Sequence, residues 1–298
     1  MHMKESHYAR IEKNIESFPS LPSTVAEVMS VVNNPDSSAK DLTQAILPDQ
    51  SMCVAILKIA NSALYGRPKK VSSLETAITV LGFDEIQNIV LSRSVMNSFG
   101  SIFDRNDEII NNFWDHSFTC ALAGKVIAEH FSISSPGRFF IGGLIHDIGK
   151  LAMLLTFPEE YTAEKWLTGL STGKKLEEER QQFAITHAEV GGRLLQKWNF
   201  PESLTNALNF HHSPLDSPEN HGFPIIVQLA DVLAHLCSTY EKDEIGDIES
   251  AIKKLVPGIE QTWHHFTLPW EKLRLEMWYN WVVIERQHGS SILAILAY

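Results

Sequence analysis

The chain has 298 residues, 44% of them hydrophobic and 20% charged, the composition of a globular protein with a sizeable core. Its formal net charge of −11 argues against a nucleic-acid reader, because holding a phosphate backbone needs clustered Lys and Arg. The one short basic cluster, Arg67-Pro68-Lys69-Lys70, reads as a solvated loop.

The opening residues, Met-His-Met-Lys-Glu-Ser-His, are polar rather than an apolar signal segment, so His2 and His7 carry no functional weight. A helix over 24–33 follows from Val25, Val28, Met29 and Val32, with Thr24-Val25-Ala26-Glu27 as a capping box. Asn33-Asn34-Pro35-Asp36 breaks it. The next helix, over 39–47, carries Leu42, Ala45 and Ile46 and is stopped by Pro48 and Asp49. A third runs over 51–63 with Val54, Leu57, Ile59 and Ala60, ahead of a turn at Tyr65-Gly66-Arg67-Pro68. Ser72-Ser73-Leu74-Glu75 offers a second capping box before Ala77, Ile78 and Leu81, and Gly82 separates that short helix from one over 84–99. These five helices make an N-terminal lobe, 15–100.

The polar stretch after Gly100-Ser101 marks a boundary. A second lobe, 108–240, is predicted to hold helices over 109–131, 138–155, 158–170, 175–183, 187–198, 201–211 and 223–239. A C-terminal extension, 241–298, adds a helix over 244–255, a Trp/His turn at 263–266 and a helix over 270–287. Trp278, Trp281, Val282 and Ile284 make that last helix apolar enough to pack on the body or on a second copy. No strand alternation or fixed repeat is visible, so the fold class is all-α. Cys53, Cys120 and Cys237 sit in apolar surroundings without Cys-x-x-Cys spacing, which argues against disulfides or a thiolate zinc site. Buried free thiols suit a reducing cytoplasm. No uninterrupted apolar run reaches bilayer length.

The sharpest signal is Gly143-Leu144-Ile145-His146-Asp147-Ile148-Gly149-Lys150. A His beside an Asp in an apolar helix is costly unless both have partners. Imidazole and carboxylate together suit a divalent or trivalent metal, and a carboxylate can bridge two ions. Alone, the pair fits a satisfied core histidine better than a ligand pair. It has company, however: His116 in an apolar helix, His187 opening another, His211 and His212 ending a third, and Asp231 inside Leu229-Ala230-Asp231-Val232-Leu233. Helical bundles build metal sites from inward side chains on facing helices.

In order and spacing, His116, His146-Asp147, His187, His211-His212 and Asp231 resemble the ligand set of HD-domain metal phosphohydrolases, most of all the HD-GYP cyclic-di-GMP phosphodiesterases. The N-terminal lobe narrows the resemblance. Phe18-Pro19-Ser20-Leu21-Pro22, Asp49, Leu57-Lys58-Ile59-Ala60-Asn61-Ser62-Ala63-Leu64-Tyr65-Gly66 and Ala77-Ile78-Thr79-Val80-Leu81-Gly82 are similar to the HDOD family of bacterial signal-transduction proteins. That resemblance covers roughly residues 15–240 and implies a multi-helix HD/HDOD-type bundle in two lobes. HDOD members have often lost parts of the HD site, whereas here every ligand position is filled.

The resemblance implies two ions, iron or manganese being favoured, with Asp147 as bridge, His116, His187, His211 and His212 supplying nitrogen, and His146 and Asp231 completing one sphere. A single ion with some histidines behind it is the alternative. Departures from HD-GYP are also plain. Gly222-Phe223-Pro224 echoes the Gly-Tyr-Pro segment but reads as the loop before the next helix, and Asn112 stands where some members have a Glu. Lys150 either orients a phosphate or metal-bound water beside Asp147 in a catalytic role, or is a solvated helix lysine. Asn61 reads as structural. Glu189 and Arg193 read as a local ion pair, and His130, His235, His264, His265 and His288 as ordinary surface or core histidines.

Two functions compete. One is a regulatory module, a metal-containing scaffold that relays a signal to a protein partner, in the cytoplasm, with the C-terminal helix as a route to homo-oligomers. The other is a phosphohydrolase acting on a nucleotide, a cyclic dinucleotide or another phosphate-containing small molecule. An oxygen-using di-iron enzyme is a third, weaker reading. Neither nucleic acid nor membrane is expected as a partner.

Overall fold

The computed structural model describes residues 2–32, 34–62, 70–100, 107–133, 135–218, 222–239 and 245–297. Among them every regular element is helical, and the chain divides into two compact units, Ser20–Asp104 with Ile284–Tyr298, and Met1–Pro19 with Arg105–Val283.

In the smaller unit, five helices follow one another: α2 (Ser23–Val32), α3 (Ala39–Ile46), α4 (Gln50–Ala60), α5 (Leu74–Leu81) and α6 (Phe83–Gly100). Local chemistry sets their starts. Ser38 and Asp41 form a reciprocal capping box at α3. Asp49, expected to end one helix, begins the next by accepting from the Met52 amide at 2.9 Å. Ser73 caps α5 through the Thr76 amide. The box expected at Thr24–Glu27 does not form, because α2 starts at Ser23 and buries Thr24 within it. Asn61 has the structural role expected of it. Its side-chain amide donates to Leu57 O at 2.7 Å and Val71 O at 2.8 Å, and its carbonyl accepts from Val71 N at 2.8 Å. The turn at residues 65–68 and the Ala-Leu-Tyr-Gly end of the Asn-Ser-Ala-Leu-Tyr-Gly block lie outside the described residues.

The larger unit carries α1 (His2–Ser17), α7 (Glu108–His130), α8 (Gly137–Ile145), α9 (Ile148–Thr156), α10 (Ala163–Trp166), α11 (Gly173–Phe183), α12 (His187–Lys197), α13 (Glu202–Phe210), α14 (Gly222–Thr239), α15 (Ile248–Leu255) and α16 (Ile259–His265). The final helix, α17 (Lys272–Ala297), contributes its first part to this unit and its remainder to the smaller one. Its Gly289-Ser290-Ser291 does not end it where the sequence suggested, since Ile292 and Leu296 continue a buried face.

Helices α7, α8 and α14 pack together, and α12 packs against both α9 and α13. Two glycines permit the closest approaches of one helix backbone to another. A Cβ at Gly143 would stand 2.6 Å from Cys120 O of α7, and one at Gly149 would stand 1.9 Å from His187 O of α12. The single helix expected over 138–155 is broken, with α8 ending at Ile145 and α9 starting at Ile148. The Asp147 carbonyl accepts from Lys150 N in a tight i→i+3 turn, so His146 and Asp147 stand between two helices. The helix expected over 158–170 shrinks to four residues, because the backbone turns back at once through Tyr161 N to Phe157 O. Gly222-Phe223-Pro224 is not a loop but the first turn of α14, with Phe223 buried against Phe139. The Trp/His turn is the end of α16. Gly137–Thr156 and Gly222–Thr239 have the length and hydropathy of bilayer spans, but they are 83% and 72% buried and form the core.

Candidate metal centre

The larger unit brings all seven expected ligand residues into two adjoining groups. Asp147, His187, His211 and His212 form one, and His116, His146 and Asp231 the other, with the donor atoms of each group within 4.8 Å of one another. His116 comes from α7, His187 is the first residue of α12 and Asp231 lies in α14. A capping box between Thr186 and Glu189 fixes where α12 begins and hence where His187 points.

His146 and His211 reach the centre by the same device. Each stands at the C-cap of a short helix, α8 or α13, where last-turn carbonyls lack helical partners. The Nδ1 of His146 donates to Gly143 O at 2.7 Å, and that of His211 donates to Leu208 O at 2.7 Å. Each helix end is thereby satisfied and each Nε2 is turned inward. Both Nε2 atoms are buried without a hydrogen-bond partner, as is Asp147 Oδ1. Around them, His187 Nε2 lies 3.0 Å from Asp147 Oδ1 and 3.1 Å from His212 Nε2. His146 Nε2 is 3.3 Å from Asp147 Oδ2 and 3.5 Å from Asp231 Oδ1, and His116 Nε2 is 3.0 Å from Asp231 Oδ1.

The charges divide cleanly. Burial, reinforced by the neighbouring His146, pushes His211 down to about 3, and burial beside His211 holds His212 well below the ordinary imidazole range. Both rings are therefore neutral. Burial opposes charge on His146 too, but the Asp147 carboxylate outweighs it and raises that ring well above its usual value. Burial likewise works against ionised Asp147 and Asp231. Asp147 is nevertheless held well below the usual carboxylate range by His146 and Lys150, and Asp231 by the hydrogen bond from His116 and the charge of the neighbouring His146.

Lys150 departs from its solvated reading: it is 2% exposed and ion-paired with Asp147 Oδ2. Glu189 and Arg193 do not pair with each other. Glu189 takes Arg180 at 3.0 Å, while Arg193 reaches Glu12 and lies over the Tyr8 ring. Asn112 is exposed. His130 packs edge-on against Trp278, and His7 meets Phe157 and Phe183, both apart from the centre.

Glu179 is the residue that sequence reasoning missed. It is 1% exposed and accepts from His187 Nδ1 at 2.8 Å, from the His187 amide at 3.0 Å and from Tyr161 Oη at 2.6 Å. In the sequence it hides inside Glu177-Glu178-Glu179-Arg180, which looks like a solvated face. The one available signal is its spacing from Phe183, a turn later on the buried side of α11.

The donor set fits a cation. Inward-turned imidazole nitrogens and two ionised carboxylates converge, and three of these buried atoms lack any hydrogen-bond partner. The described residues thus form an all-helical protein with two adjoining His/Asp groups that could hold metal. The HDOD domain matches residues 18–214, and the chain belongs to the HDOD family. An uncharacterized protein of Treponema pallidum (strain Nichols) is 26% identical over 225 residues, which is 74% of this chain and 42% of that protein. The chain thus spans less than half the length of this curated relative. Among solved structures, a Shewanella amazonensis protein assigned provisionally as a phosphohydrolase superposes with a TM-score of 0.74 at 21% identity, covering 97% of this chain and 98% of that one. A Marinobacter aquaeolei protein assigned provisionally to signal transduction gives 0.73 at 17% identity, covering 99% of this chain and 66% of that one.

Proposed function

We propose that the protein is a regulatory HDOD module whose larger unit holds two metal ions, iron or manganese, one in each His/Asp group. The convergence of His146 Nε2, His211 Nε2 and Asp147 Oδ1, buried and without hydrogen-bond partners, carries the metal part of this reading. The closed character of the centre carries the regulatory part. His146, His187 and His211 are fully buried, and Lys150 is spent on Asp147 rather than turned outward to a substrate. In such a site an ion stabilises the state that binds it and so reports its own presence to whatever protein contacts the fold.

A phosphohydrolase is the second reading. It is favoured by His116, whose side chain is 21% exposed and gives the second group an edge toward solvent. The Shewanella structure assigned to that class is in keeping with it. Metal ions in such a centre would supply an activated water and neutralise phosphate charge. Of the chain's own residues, Asp147 would hold the ions together, and Lys150 would have to leave it to meet a phosphate.

The deciding experiment is metal analysis of untagged protein purified anaerobically, beside Asp147→Ala, followed by assays with phosphodiester and cyclic-dinucleotide substrates. About two ions per chain, lost in the variant and without turnover, is the expected result. Turnover that Asp147→Ala abolishes would replace the regulatory reading by the enzymatic one. A wild type that neither carries nor takes up metal would refute both.

A further inference from the structure

The Glu179 side chain lies behind the centre rather than in it. Both of its oxygens are used, one by Tyr161 Oη at 2.6 Å and the other by His187 Nδ1 at 2.8 Å and the His187 amide at 3.0 Å. Tyr161 is itself fixed: it is fully buried, stacked on Trp166 at 5.0 Å and set edge-on to Phe183. Because a carboxylate only accepts, His187 must carry its proton on Nδ1, and its remaining nitrogen, Nε2, faces Asp147 and His212. His146 and His211 take their orientation from backbone carbonyls at helix ends. Among these three rings only His187 is backed by a charge.

From this we infer that Glu179, clamped by Tyr161, is the positioning residue for the Asp147–His187–His211–His212 group and for that group alone. A carboxylate behind an imidazole fixes the tautomer and ring angle and makes the opposite nitrogen a stronger donor to a cation. His116, His146 and Asp231 make no hydrogen bond to Glu179 or Tyr161. Losing the charge on Glu179 should therefore weaken one ion and spare the other. The inference rests on the two-ion reading above, and it makes the two groups separable.

The test is Mn2+ titration by calorimetry of the metal-free 298-residue chain, comparing wild type, Glu179→Gln and Tyr161→Phe. The absorption spectrum of Co2+-loaded protein and the melting of each metal-free form are recorded alongside. Wild type should take up about two Mn2+. Glu179→Gln should bind one of them within about twofold of wild type and the other about 10–100-fold more weakly, with an altered Co2+ band for that ion only. Tyr161→Phe, which removes one hydroxyl, should weaken the same ion by about 3–10-fold. It decides the matter if Glu179→Gln does not fold. Two ions bound with wild-type affinity in the variants, or both weakened equally, would overturn the assignment while leaving the metal centre standing. No Mn2+ uptake by wild type would instead refute the centre itself.

Discussion

Replacing Gly149 by alanine tests whether the α9–α12 contact is what sets the centre's geometry. The added Cβ would lie 1.9 Å from His187 O, 2.7 Å from Gly191 N and 2.8 Å from His187 C. All three are backbone atoms of α12, so no side-chain rotation can relieve them. The first contact is roughly 1.5 Å short of ordinary van der Waals separation, so α12 must move away from α9 and take His187 with it. Overpacking of this kind costs about 1–3 kcal/mol, and alanine's helical advantage over glycine, about 0.5–1 kcal/mol, offsets only part of it. For a unit of this size the melting temperature should fall by about 3–8 °C. Displacing His187 by about 1 Å should also cost at least tenfold in Mn2+ affinity. Gly191→Ala is the matched control, since its Cβ would find its nearest neighbours at 3.4, 3.5 and 3.6 Å. It should melt at or slightly above the wild-type temperature. The assay is thermal unfolding by circular dichroism with Mn2+ titration of the same samples. A Gly149→Ala protein as stable as Gly191→Ala, with unchanged metal affinity, would refute the packing argument.

Other predictions follow from single contacts. Arg93 is buried in the smaller unit, where its guanidinium donates to Ile295 O and, at 3.5 Å, to Leu296 O in the last turn of α17. Arg93→Met should lose about 1.5–3 kcal/mol in urea unfolding and speed amide exchange over 292–297; unchanged exchange there would refute the anchoring. Lys175 lies half-buried, and burial together with Lys150 lowers it from 10.5 to about 8. The unfolded chain therefore binds a proton that the folded chain has released between those values, so wild type should gain stability over Lys175→Met as pH rises from about 8 to 10.5. Parallel stability curves across that window would show that Lys175 carries no burial penalty.

Much of the fold was legible because amphipathic periodicity and helix caps act locally. Val25, Val28 and Met29 announce α2, and Ser73 lies in the stretch read as a capping box where α5 starts, whereas Asp49, read as a stop, caps α4. The break at His146-Asp147 was not legible, since the apolar period runs unbroken through it. The turn there is set by tertiary packing at Gly143 and Gly149, whose close neighbours are 20 or more residues away in sequence. Nor does a sequence show that a glycine-containing stretch, Gly289-Ser290-Ser291, will be carried inside a helix by the packing of Ile292 and Leu296. At the centre, polar residues set in apolar helices gave themselves away, and the family resemblance put them in order. Glu179 did not, because a charge that the fold will bury looks the same in sequence as one left in water.

The energetics of the centre explain why the lobe's own stability is a poor account of it. Two ionised carboxylates, Asp147 and Asp231, are buried at 3% and 4% exposure, with only Lys150 and protonated imidazole to balance them. Well-packed apolar residues in such positions are often neutral or more stabilising than buried ion pairs. The surrounding core, with Phe139, Leu144, Ile145, Leu194 and Leu208 all buried, does not depend on the polar cluster for apolar burial. A cation that replaces the imidazole protons converts the same groups from a cost into a binding free energy. At a hundredfold excess over its dissociation constant, such an ion adds about 2.7 kcal/mol to the folded state. That increment is large against the marginal stability of a domain, and it ties the folded population to the concentration of the ion. A cation bound there would thus make the fold answer to its ligand.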